Sequence, residues 1–463
     1  MPQAQADGDA LNGLRESFSG ALHAPEDGSY EEARSIFNSM VEKRPALIAQ
    51  VENADDIRAA LAYAQEKGLE VAVRGGGHSV GGACLTDGGV VIDMRRMNSV
   101  TVDSGARTAR AQGGAIWADF DAACQPHALA TTGGRVSTTG VAGLTLGGGS
   151  GWYERKFGMA CDNLLEVELV TADGSTVTAS EDENPELFWA LHGGGGNFGI
   201  ATELTFRLHP LPDNAFGLLL WPAEDGEQVA YAYREAIESA PEELGGGVAY
   251  ITGPPEEFVP EHLQDKLCAG VIATYAGTKA ALREAIAPVL ALEPDGAMIA
   301  EIPYVGMQSA IDDPPGFRNW WSAEYLTGLP DEALDKFVEW ADEMPTPTPS
   351  QHILFPLGGA VARGASESPL AFREAPWAVH PLGLWEDPGQ DEQAVRWARG
   401  TCEAMKPYSV GATYLNFLGD EGEDRIVSGY GRENYDRLAK VKAEFDPDAV
   451  FHLHHPIRPL AAA

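Results

Sequence analysis

An α+β fold is predicted for this chain, on three observations. Between Pro45 and Pro210, short β-like runs alternate with glycine turns. Between Asp213 and Pro407, amphipathic helical stretches alternate with further strand-like runs. The first region holds only one clear helix, which excludes a regular βαβ repeat.

The elements follow from local patterning. ALIAQV, EVAVRG, GVVIDM, SVTVD, TARAQG, LLEVELVTADGSTVTAS and GIATELTFRLHP read as strands. A helix over residues 54–66 follows the cap-type Asn53 and stops at Gly68. Asp173-Gly174 between two alternating runs signals a hairpin. Further along, DGEQVAYAYREAIESA, GTKAALREAIAPVLAL and PDEALDKFVEWADEM have helical periodicity, and GVIATYAG, HILFPLGGAVAR and WAVHPLGLWED read as strands. The proline-rich joins GPPEE, DDPPG and PTPTPS are loops. A last helix over residues 433–444 is stopped by Asp446-Pro447. There is no internal repeat.

Composition bounds the function. The 463 residues are 44% hydrophobic and 22% charged, as in a globular protein with two or three domains. Asp and Glu number 69 against 32 Lys and Arg, a net charge of −37. Phosphate backbones would be repelled, so nucleic acid is excluded as a partner. The dispersed acidity is that of a protein from a salt-loving organism, where molar salt screens the repulsion. No secretion signal or membrane-length apolar run is visible. The five cysteines lack C-x-x-C spacing, which argues against a disulfide framework or structural zinc and for the cytoplasm.

Three glycine clusters, at residues 75–82, 140–151 and 193–199, carry the chemistry. Neither a dinucleotide fingerprint nor a P-loop fits: HSVGGACLTDGG is not a helix, and no Gly-Lys-Ser/Thr follows. Taken together, RGGGHS, GGRVSTTGVAGLTLGGGSGWYERKFGMACDN, LHGGGGNFGIATELTF and the C-terminal YLNF and YGRENYDRLAKVKAEFDPDAVF resemble the berberine bridge enzyme-like flavoprotein oxidases. The resemblance covers most of the chain. It implies a two-subdomain, PCMH-type FAD-binding domain over residues 1–212 (core 42–212), to which residues 405–463 return. An α+β substrate domain over 213–404 would lay an antiparallel sheet over the flavin.

The same resemblance assigns residues. FAD would be bound by Arg74, Gly75, Gly76, Gly77, Ser79, Val80 and Gly82; by Gly134, Val136, Thr138, Thr139, Gly140, Gly143, Leu144 and Gly149; by Gly199 and Ile200; and by Tyr414 and Asn416. His78 matches the family's covalent histidine, bonded to the flavin 8-methyl carbon. Val136 stands where many members have a second, cysteine tether, so a single covalent bond is expected. Thr139 matches the position near the flavin whose bulk controls oxygen. Tyr414 matches a tyrosine that relays a substrate proton. Its partner is His380, counted back from Trp385, or His352 on a neighbouring strand; either is equally a structural histidine.

FHLHH, residues 451–455, would place His452 and His454 on one face of a strand. No Asp, Glu or Cys is placed beside them in sequence, so cofactor-pocket packing is expected over metal binding. Trp320, Trp321 and Trp340 are candidates to stack on a sugar or to pack in the core.

The reading is an FAD-dependent oxidase that takes hydride from an alcohol-like or sugar carbon and passes electrons to oxygen. Alternatives are a dehydrogenase with a quinone or protein acceptor, an amine or secondary-metabolite oxidase forming C–C bonds, and a flavin-binding protein without turnover.

Overall fold

The computed structural model describes residues 11–313, 315–419 and 421–460. The first sheet contains β1 (Ala21–His23), β2 (Leu47–Gln50), β3 (Val71–Arg74) and β4 (Val90–Asp93) in the order β1-β2-β4-β3. β4 lies parallel between β2 and β3, a pairing that needs a crossover. The helix Ala54–Lys67 supplies it. Asn53 caps that helix by accepting from the Asp55 and Asp56 amides, and Gly68 ends it in the left-handed conformation at φ 62°. Its apolar face, Ile57, Ala60, Leu61 and Ala64, packs with Leu47, Val71, Val90 and Ile92.

The second sheet and a small ribbon are formed by β5 (Val100–Asp103), β6 (Thr108–Gln112), β7 (Leu129–Ala130), β8 (Leu164–Val170), β9 (Thr176–Ser180), β10 (Ile200–Arg207) and β11 (His209–Pro210). The order is β5-β6-β10-β8-β9, all antiparallel, with β7 pairing β11 apart. The Asp173-Gly174 turn joins β8 to β9, and Gly174 takes φ 81° there.

The third sheet is the largest: β12 (Ala215–Pro222), β13 (Leu244–Thr252), β14 (Leu267–Tyr275), β15 (Gly296–Glu301), β16 (Arg318–Trp321), β17 (Glu324–Leu326), β18 (Gln351–Pro356) and β19 (Trp377–Trp385). Its order is β15-β12-β14-β13-β18-β19-β16, with β17 also on β19, and every pair is antiparallel. Strand alternation gives the sheet two unlike faces. On one, Val248, Tyr250, Leu354 and Val379 pack on the helices Gly226–Ser239 and Asp331–Ala341. On the other, Ile353 and Phe355 pack with Trp152, Tyr153 and Phe157 from the second glycine segment.

Two expected elements differ. GTKAALREAIAPVLAL breaks into Lys279–Ala285 and Ala287–Leu290 at Ile286, because Pro288 has no amide to continue the first helix. HILFPLGGAVAR stops being strand at Pro356; Gly358 and Gly359 turn at positive φ into the short helix Ala360–Arg363. All five cysteines are buried free thiols. Among the described residues no helix is long and apolar enough to cross a membrane.

Candidate functional site

The first two glycine clusters meet main chain to main chain. A Cβ on Gly76 would lie 2.3 Å from the Gly140 nitrogen, and one on Gly140 would lie 2.4 Å from the Gly76 nitrogen, so neither position admits a side chain. A long cleft opens beside this junction, between the first two sheets and the inner face of the third. Of the expected cofactor residues, Gly75, Gly76, Gly77, His78, Ser79, Val80, Val136, Thr139, Gly140, Gly143, Leu144, Gly199, Ile200 and Asn416 line it.

Six others do not line it: Tyr414, and five that make contacts within the protein. Arg74 is buried and donates to the carbonyls of Ala33 (2.6 Å) and Ser35 (2.5 Å), tying the histidine loop to the N-terminal segment. Gly82, at φ 68°, leaves room for Val41 and accepts from Lys43. The Gly134 carbonyl accepts from Gln308, the Gly149 amide donates to Tyr414, and the Thr138 hydroxyl contacts His78.

His78 stands on the cleft wall. Its Nε2 lies 2.8 Å from Thr138 Oγ1, its Nδ1 3.5 Å from Thr139 Oγ1, and its ring stacks on Phe37 at 4.1 Å. Burial lowers its pKa to about 4, so the imidazole is neutral at physiological pH. From Phe37 the ring contacts run through Trp321 (6.1 Å) to His380 (5.9 Å) and Phe417 (3.9 Å), which places His78 and His380 at the same end of the cleft. Of the three tryptophans considered, Trp321 lines the cleft, whereas Trp320 and Trp340 do not.

The three proposed acid–base residues lie in different places. His380 faces the cleft from β19. Its Nδ1 is 2.8 Å from the Ser322 carbonyl, which can only accept, so Nδ1 carries the proton and Nε2 the lone pair. That Nε2 is buried without a partner among the described residues, and burial lowers the ring's pKa to about 3. His352 is on the opposite face, because on β18 it is Gln351, Ile353 and Phe355 that look into the cleft. It stacks on Phe337 at 4.3 Å and donates to that residue's carbonyl, so it is a core histidine that does not reach the site.

Tyr414 is fully buried behind the cleft wall. Its phenolic oxygen accepts from the Gly149 amide (2.8 Å), the Ser150 amide (3.2 Å) and the Asn416 side chain (2.8 Å). Burial pushes its pKa up. In this geometry Tyr414 anchors the glycine cluster.

Several lining residues were not signalled by any motif. Arg135 reaches the cleft with its guanidinium 4.0 Å from the Phe355 ring, paired to the buried Glu154 at 2.7 Å. Asp313 and Gln351 line the same end, joined at 2.9 Å. At the far end lie Phe451 to His454. Residues 451–455 form no strand, so His452 and His454 share no strand face; both line the cleft, and His452 Nε2 also lies 3.3 Å from Glu70. Among the described residues no group of three or more His, Cys, Asp or Glu is placed to hold a metal.

The residues fit FAD. Gly143 and Gly196 both line the cleft, and a Cβ on either meets nothing within 4 Å; the space they leave is open to a ligand. The neutral His78 and the unpartnered Nε2 of His380 give its other end polar contacts in an otherwise apolar setting.

Comparison with known proteins agrees. Residues 45–180 match a sequence profile described as FAD binding domain, and residues 413–458 one described as berberine and berberine like. The chain is 31% identical to (R)-6-hydroxynicotine oxidase of Paenarthrobacter nicotinovorans, over 96% of this chain and 97% of that one. It is 28% identical to xylooligosaccharide oxidase of Thermothelomyces thermophilus, over 92% and 89%. The crystal structure of 6-hydroxy-D-nicotine oxidase from Arthrobacter nicotinovorans superposes with a TM-score of 0.84 at 27% identity, covering 96% of this chain and 99% of that one. The chain belongs to the berberine bridge enzyme-like family of FAD-linked oxidoreductases.

Proposed function

We propose that this protein oxidises a small hydroxylated compound at its CH–OH carbon, with FAD held covalently through His78 and oxygen as the final acceptor. The observation that carries this reading is the shared end of the cleft: a neutral imidazole on one wall faces the inner side of an eight-stranded sheet that presents His380. Residues 1–212 and 405–463 would hold the cofactor and residues 213–404 would cover it. When bound, FAD supplies the two-electron acceptor.

This chain's side chains do the rest. A neutral His78 has the free electron pair that a bond to the flavin methyl carbon requires. Val136 lines the same wall without a nucleophilic atom, which supports one tether and not two. His380 Nε2 offers a lone pair to a separate hydrogen-bond donor of the substrate. Ile353, Phe355, Leu382 and Trp321 exclude water around it. Thr139 on the cleft wall is no bulkier than valine and leaves oxygen room. The buried free thiols fit a reducing compartment such as the cytoplasm.

The test is anaerobic mixing of the yellow protein with a panel of sugars, alcohols and hydroxylated heterocycles, followed by admission of air. Bleaching by a hydroxylated compound and rapid recovery of colour in air are expected. Recovery only with a quinone would make the protein a dehydrogenase. Bleaching by amines alone would move the substrate class.

A further inference from the structure

The loop after the helix Tyr304–Gln308 carries two consecutive carboxylates that reach opposite walls of the cleft. Asp312 accepts from the amide (2.7 Å) and hydroxyl (2.5 Å) of Ser137, beside Val136 on the cofactor side. Asp313 turns to the sheet, where its Oδ1 accepts from Gln351 Nε2 at 2.9 Å. The pair staples the loop across the site. Asp313 lines the cleft and is 5% exposed, and its Oδ2 makes no hydrogen bond among the described residues.

We propose that Asp313 is the catalytic base of the substrate half-reaction, accepting the substrate O–H proton at Oδ2, with Gln351 as the residue that positions it. The inference rests on the alcohol-oxidation reading above. The substrate's O–H bond breaks with its proton going to Asp313. The electron pair left on oxygen becomes the second bond of the carbonyl as the carbon gives up hydride to the bound FAD. Asp313, now neutral, releases its proton to solvent before the next turnover.

The charged groups around the carboxyl support the assignment. Burial and the neighbouring Asp312 raise its pKa to about 7, while the Gln351 hydrogen bond acts in the opposite direction. A base matched to neutral pH transfers protons best. His380, at about 3, is too weak to retain a proton there. Arg135, the other charged group lining this end, is committed to Glu154.

The test uses the FAD-loaded protein and two variants. Asp313→Asn preserves shape and is expected to lower the rate of flavin reduction by about 10²–10⁴-fold. It should also abolish the rise of that rate with pH around 7. Gln351→Leu removes a contact that favours the ionised form and should move the same rise to higher pH.

Stability gives a readout independent of turnover. A carboxyl at about 7 when folded against 3.8 unfolded binds its proton more tightly in the folded chain. It therefore stabilises the fold below about pH 4, and that contribution is lost as pH rises through 7. The Tm of the wild type minus that of Asp313→Asn should fall between pH 4 and 8. A Tm difference flat with pH, or full flavin reduction in Asp313→Asn, would overturn the proposal. So would loss of that pH dependence in a His380→Gln variant, which keeps Asp313. If no hydroxylated compound reduces the wild type, the alcohol reading fails, and with it the O–H proton this base is proposed to take, whatever the Tm arm gives.

Discussion

At the scale of single residues, His78 shows what a motif reveals and what it conceals. Arg-Gly-Gly-Gly-His raises the expectation of a tether by resemblance, but nothing in that string announces Phe37, whose ring stacks on the imidazole from 41 positions upstream. A stacking partner needs only an aromatic ring at the right place in space, so no spacing rule finds it. The tether itself is testable. Acid-precipitated protein should remain yellow, and His78→Ala should release all its flavin to the supernatant; colour retained in the variant's pellet would put the bond elsewhere. Tyr414 was legible as part of a Y-x-N element, yet its partners, two backbone amides of the second glycine cluster, became visible only in three dimensions. His380 and His352 looked interchangeable in sequence. The pleat of adjoining strands separates them: Ile353 pairs with His380 and His352 with Pro381, so the two histidines look to opposite sides.

At the scale of elements, regular periodicity was readable and irregular chain was not. The helices over 54–66, 330–344 and 433–444 were visible because their apolar stripes lie within one stretch of sequence, and the first also carries its own cap, Asn53. The segment Phe451–His455 depends instead on a distant clamp. Lys442, on the helix Arg432–Phe445, donates to the carbonyls of Asn197 (2.6 Å) and Phe451 (2.8 Å) and pairs with Asp446 at 2.6 Å, both side chains wholly buried. Asp446 in turn accepts from the Val450 and Phe451 amides. This clamp joins the third glycine cluster to the C-terminal lining of the cleft. Breaking a buried ion pair on one side costs about 3–5 kcal/mol. Lys442→Met is therefore expected to lower the unfolding free energy from urea denaturation by that amount, with a lower midpoint, and to weaken retention of FAD in a His78→Ala background, read by ultrafiltration. An unchanged midpoint would show that the pair holds nothing the helix does not.

At the scale of the whole molecule, the dominant feature is charge. A net −37 over one chain creates repulsion that dilute buffer does not screen, since the Debye length is ~30 Å at 0.01 M. The ion pairs are mostly exposed, such as Arg363 with Glu242 and Arg458 with Glu423, and such pairs contribute about 0–1 kcal/mol each. Added salt weakens them but relieves the larger repulsion. Tm should rise from dilute buffer to molar KCl, measured by scanning calorimetry; a constant or falling Tm would remove the salt-loving reading. The sequence showed the total charge directly. It could not show the arrangement of three sheets around one cleft, because that depends on pairings such as β13 with β18, about a hundred residues apart.

The unlike faces of the third sheet have an evolutionary consequence. Leu354 and Val379 are committed to the helix-side core, whereas Gln351, Ile353, Phe355, His380 and Leu382 on the same two strands line the cleft. Substitution at those five positions alters what the cavity admits while leaving the helix-side packing intact. A library varied at these alternate positions alone should yield folded, yellow proteins with shifted substrate preference. The pleat makes this sheet a natural place for new specificities to arise within an unchanged frame.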